Sequence, residues 1–157
     1  MTSQNLLNQF RFNQMILVRT LADISQEDSL CPPAAQGNCI NYLLGHLIAT
    51  RSFLLRDLGA APVWGEGLAV YDRNPKDFPA GAKPLSELNG LLQESLETVT
   101  ATLHSFEPRL GESAKQFPHL PEGGTFTDRI GSFICHEAYH VGQIGLARRA
   151  LGKPGLF

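Results

Sequence analysis

Apolar side chains recur at three- and four-residue spacing in four separate stretches of the chain. In the first, Leu6, Phe10, Asn13, Leu17, Leu21 and Ile24 keep that spacing with one polar member, which predicts a helix over 6–24. In the second, Ile40, Leu43, Leu47, Leu54 and Leu58 mark one face of a helix that Asn38 would cap, with Gly59 and Pro62 beyond its end. The third is a row of Leu85, Leu88, Leu92, Leu96, Val99, Leu103 and Phe106, stopped by Pro108. The fourth is the longest. There Ile130, Phe133, His136, His140, Ile144, Ala147 and Leu151 share a face, with Thr127 or Asp128 as the cap and Gly152 and Pro154 as the stop.

Two connections matter. Residues 25–37 contain Pro32, Pro33 and Gly37 and are expected to form a loop. Residues 59–84 hold Trp64, Tyr71, Phe78 and several prolines and glycines. At about 3.3 Å per extended residue this segment can run the length of a helix of about 30 Å. No stretch gives a convincing strand. The pattern therefore predicts an all-α protein: one domain spanning 1–157, a four-helix bundle with a long crossover between its second and third helices. A chain of 157 residues suits one such domain.

Histidines change the picture. His136 and His140 stand one turn apart on the apolar face of the last helix, so both imidazoles point the same way and can share one metal ion. Unpaired polar groups are costly in a core, which favours a metal over two idle histidines. The run HEAYH also fits the zinc protease pattern H-E-x-x-H. That reading fails because no His, Asp, Glu or Cys follows His140 to supply a third ligand, and no sheet precedes the helix. Glu137 is then a neighbour of the metal rather than a protease base. His46 lies beside the apolar face of the second helix, next to Gly45, whose missing side chain allows close approach of another helix. Alone it reads as a half-buried structural histidine, yet a zinc-type site needs at least three protein ligands. Asn13 is either an edge residue or a hydrogen-bonding partner behind the site. Gln143, within a turn of the pair, either braces a histidine or positions water or substrate. His104 turns off its apolar row, His119 reads as exposed, and Cys135 reads as a small buried residue.

Three segments in order, N-Q-M at Asn13, L-L-G-H-L-I at Leu43 to Ile48 and C-H-E-A-Y-H-V-G-Q-I at Cys135 to Ile144, resemble the DinB-like superfamily over nearly the whole chain. That resemblance implies a four-helix bundle in up-down-down-up order, commonly a homodimer. It also implies a divalent metal held by one histidine of the second helix and two of the fourth, at positions matching His46, His136 and His140. Some relatives are metal-dependent transferases or isomerases that use low-molecular-weight thiols, and others are labelled hydrolases. The expectation is a metal-dependent enzyme acting on a small-molecule substrate, a thiol-dependent transferase or a hydrolase. The alternative is a non-catalytic metal-containing binding or stress-response protein. Imidazole ligands suit zinc or nickel, with iron or manganese as further possibilities. No serine or cysteine has an activating partner, so solvent or a cosubstrate would bring the nucleophile.

Composition narrows the classes further. A net charge of −2 with no basic run argues against direct nucleic-acid binding. Three cysteines without framework spacing point to reduced thiols and a cytoplasmic protein. No apolar run approaches the roughly 18 residues of a membrane span.

Overall fold

The computed structural model describes residues 1–33, 37–65, 70–71, 78–114 and 123–156. These residues form five α-helices: α1 (Ser3–Leu21), α2 (Gln26–Leu30), α3 (Ile40–Asp57), α4 (Leu85–Phe106) and α5 (Phe126–Ala150). Four are long, and no strand occurs among the described residues; one isolated bridge joins Ser113 to Thr125. The long helices pack as a closed ring, α1 against α4 and α5, and α3 against α4 and α5.

Helix ends follow local chemistry more closely than the apolar rows do. The last helix starts earlier than Thr127. Thr125 is its cap, its hydroxyl accepting from Asp128 N–H while the Asp128 carboxylate accepts from Thr125 N–H at 2.8 Å. Asp128 is thus the third residue of a reciprocal box, not the cap. Gly152 turns the chain at φ 78°, as its place after the helix predicts. Helix α3 begins after Cys39, without the side-chain cap expected of Asn38.

The expected loop over 25–37 is corrected in its first half. Ser25 and Asp28 cap each other, at 3.0 and 3.2 Å, and nucleate the short helix α2. The prolines act only after its end. Gln26 Oε1 in turn accepts from Leu85 N–H at 2.6 Å, so α2 supplies one of the partners that the free N–H groups at the start of α4 require.

The core divides in two. One cluster takes Leu17 and Leu21 of α1, Ile40 to Leu47 of α3, Leu85 to Leu92 of α4 and Val141 to Ala147 of α5. The other takes Leu6 to Phe10, Leu54 to Leu58, Val99 to Phe106 and Ile130 to Ile134 of the same helices. Between them lies a buried polar layer with one residue from each long helix: Gln14, Arg51, Ser95 and Glu137. Arg51 Nε and Nη2 each donate to Glu137 at 2.8 Å. Its Nη1 donates to Gln14 Oε1 at 2.9 Å, Ser95 Oγ at 3.0 Å and the Leu92 carbonyl at 3.1 Å. Two opposite charges can sit this deep because the geometry is bidentate and the guanidinium is otherwise satisfied.

Candidate metal centre

His46 projects from the second turn of α3, and His136 and His140 project from adjacent turns of α5. Their ring nitrogens meet. His136 Nε2 lies 3.4 Å from His46 Nε2 and 3.1 Å from His140 Nε2, and one ligand atom from each ring falls within 4.8 Å of the others. All three residues are half-buried. Among the described residues no carboxylate or thiol joins the cluster.

The far nitrogens decide what the near ones are. His46 Nδ1 lies 2.8 Å from the Tyr71 carbonyl oxygen, and His140 Nδ1 lies 2.6 Å from Gln143 Oε1. Gln143 Nε2 donates to Tyr139 Oη at 3.0 Å, which turns the amide oxygen toward the imidazole. A carbonyl and an amide oxygen only accept, so in both rings Nδ1 carries the proton and donates it. In the neutral rings Nε2 is then a bare lone pair. Lone pairs converging with a third ring nitrogen repel unless a cation lies among them. Nitrogens bound about 2.0–2.1 Å from a tetrahedral ion sit about 3.3 Å apart, close to the spacing observed. The residues fit a metal ion.

Burial pushes the His140 pKa below the ordinary imidazole value; the Gln143 hydrogen bond opposes this and the charge of His46 adds to it. The net direction favours the neutral, ligating form.

His46 is placed by the connection between α3 and α4. The Tyr71 ring packs against the backbone of Gly45, where an added Cβ would lie 2.1 Å from the ring. Gly45 therefore admits a tyrosine of the connection rather than another helix. Tyr71 Oη donates to Asn41 Oδ1 at 3.0 Å and accepts from Lys83 N–H at 2.6 Å, while Asn41 Nδ2 donates to the Lys83 carbonyl at 2.9 Å. The phenol ties the connection to Asn41 of α3 and to Lys83 just ahead of α4, and leaves the Tyr71 carbonyl on His46. Tyr42 stacks on the imidazole at 5.9 Å between ring centres and 11° between planes.

The remaining candidates are scattered. Gln143 touches the cluster. The Glu137 carboxylate gives both oxygens to Arg51 in the core, so it is turned away from the imidazoles and the protease reading gains nothing. Asn13 is buried but lines a groove between α1 and α5 and is no hydrogen-bonding partner of the three rings. Cys135, expected to be buried, is exposed, as is His104. Residue 135 falls on the side of α5 away from the core, near exposed Tyr139. His119 lies outside the described residues. Arg51 and the Tyr71 carbonyl escaped the sequence reading. Arg51 was detectable, standing four places after Leu47 on an apolar row, but a backbone carbonyl leaves no trace in residue type.

A helical protein in which two histidines one turn apart meet a third from a neighbouring helix defines the class. The chain belongs to the DinB superfamily, whose family description matches residues 9–144. Among solved structures it is similar to the crystal structure of a conserved protein from Enterococcus faecalis. That match has a TM-score of 0.77 at 19% identity and covers 98% of this chain and 99% of the other. Similarity at that identity is a statement about the fold. No curated protein sequence matches the chain.

Proposed function

We propose that His46, His136 and His140 hold a divalent metal ion, zinc or nickel by the donor set, and that the protein is a metal-dependent enzyme acting on small molecules. The observation that carries this reading is the tautomer of two rings: both protons point outward to fixed acceptors and both lone pairs point inward. A metal held by these three neutral imidazoles would supply positive charge able to acidify a thiol or water bound to it. The chain's own residues do the rest. Tyr71 and Gln143 orient two ligands, Tyr42 braces one ring, and half-burial limits water. Thiol transfer stands ahead of hydrolysis because, among the described residues, no serine or cysteine has a partner that would activate it as a nucleophile, and a cosubstrate thiol would bring its own.

A purely structural metal pinning α3 to α5 is disfavoured by the Arg51–Glu137 pair, which already fastens those two helices. The bundle order is read as up-down-down-up. The first residues of α1 and α5 share a cluster with the last residues of α3 and α4, so α1 and α5 run one way and α3 and α4 the other. A homodimer is the assembly that the family resemblance favours.

The test uses metal-loaded protein with bacterial low-molecular-weight thiols plus an electrophile, and separately with ester and amide substrates. Thiol-dependent turnover abolished in His140→Ala is the expected result. Hydrolysis without thiol would replace transfer by the hydrolase. Absence of metal-dependent turnover in both panels would favour the binding protein.

A further inference from the structure

The three histidines would leave a divalent ion with charge that no neighbouring side chain balances. Neutral imidazoles subtract nothing from it, and among the described residues no carboxylate or thiol joins them. Glu137 stands beside His136 in sequence, but Arg51 takes both of its oxygens in the core. Farther along the same two helices, Asp57 is paired with Arg129. A small molecule reaching the ion from solvent therefore meets an uncompensated positive field, which favours an anion.

A directed chain of hydrogen bonds places the donor that such an anion needs. His140 Nδ1 donates to Gln143 Oε1 at 2.6 Å, and Gln143 Nε2 donates to Tyr139 Oη at 3.0 Å. The ligand sets the direction. With His140 Nε2 given to a metal, the ring proton is on Nδ1, the amide must turn its oxygen there, and its N–H is left for the phenol. The phenol oxygen is thus an acceptor on that side, and its own O–H points elsewhere. Among the described residues that O–H meets no acceptor. Tyr139 is 63% exposed, and its ring packs edgewise with His140, 5.1 Å between ring centres and 69° between planes. An outward donor therefore stands at the solvent rim of the site, against one of the ligands. We infer that Tyr139 is a specificity-determining residue of the centre, donating its phenolic hydrogen to a carboxylate of the small molecule that binds the ion. This rests on the metal-dependent reading above and names its substrate class. For thiol transfer, the cosubstrate is a thiol that carries a carboxylate close to its sulfur.

Divalent cobalt loaded into the full chain makes sulfur binding visible as a charge-transfer band, so affinity is read without turnover. The probes are β-mercaptopropionate and β-mercaptoethanol, similar in length, one anionic and one uncharged. The wild type should bind β-mercaptopropionate more tightly. Tyr139→Phe should weaken it about tenfold, the worth of one charge-assisted hydrogen bond, and leave β-mercaptoethanol unchanged. Cobalt affinity in a chelator competition should also stay unchanged, because the exposed Gln143 N–H then finds water. An equal loss for both thiols, or a fall in cobalt affinity, would make Tyr139 a brace of Gln143 and overturn the inference. So would β-mercaptopropionate binding that is unchanged in Tyr139→Phe. A band with neither thiol, from wild-type protein that holds cobalt, would remove thiol binding itself and this inference with it.

Discussion

At the scale of single residues, the protonation of two rings carries most of the chemistry. Burial holds His140 below its ordinary pKa of about 6.5. In the metal-free protein, between the folded and the ordinary value, the unfolded chain therefore binds more protons at His140 than the folded chain does. The corresponding stability is present above the ordinary value and is lost as pH falls through the lower folded one. Metal-free protein should unfold at lower denaturant as pH drops from neutral through mildly acid, and His140→Gln should flatten that dependence. Equal slopes in the two proteins would contradict it. Gly45 makes a second residue-scale prediction. In Gly45→Ala the new methyl meets the Tyr71 ring, which must shift and carry its carbonyl off His46. Overpacking of this kind costs typically about 1–3 kcal/mol. Both the denaturation midpoint and the metal affinity in a chelator competition should fall. A loss of stability alone would mean that the carbonyl does not orient the ring.

At the scale of elements, the apolar rows gave four helices because three- and four-residue spacing is a property of the helix itself. What they concealed is the buried polar layer. Gln14, Arg51, Ser95 and Glu137 each stand at mid-helix, three or four places from buried apolar residues of their own helix, and only packing reveals that the four fall in one layer. Such a layer also fixes register, since sliding any helix by a turn would leave Arg51 or Glu137 facing a leucine. Arg51→Met should cost about 3–5 kcal/mol by stranding Glu137, whereas Arg51→Met with Glu137→Leu should recover much of that loss. Urea denaturation of the two variants checks this, and a double variant no better than the single would show that Gln14 and Ser95, not the ion pair, dominate the layer. Helix α2 was missed for a different reason. Its signature is a capping box of only four residues, Ser25 to Asp28, overshadowed by the prolines that follow.

At the scale of the whole molecule, the fold class and the three histidines were legible, because helical spacing and ligand spacing both live in the sequence. The support around the histidines was not. The Tyr71 carbonyl reaches His46 across 25 positions of chain, and Glu137, adjacent to His136, proves to face Arg51, 86 positions away. No local pattern encodes either contact. The histidine cluster joins α3 to α5 beside that clamp, so metal content reports on the assembled bundle as well as on its ligands. The most direct test is metal analysis of untagged protein purified without added ions, for the wild type and for His46→Ala, His136→Ala, His140→Ala and His104→Ala. One divalent ion per chain is predicted for the wild type and for His104→Ala, with loss under chelator competition in the other three. A His46→Ala protein that keeps full occupancy against the chelator would contradict the three-histidine centre.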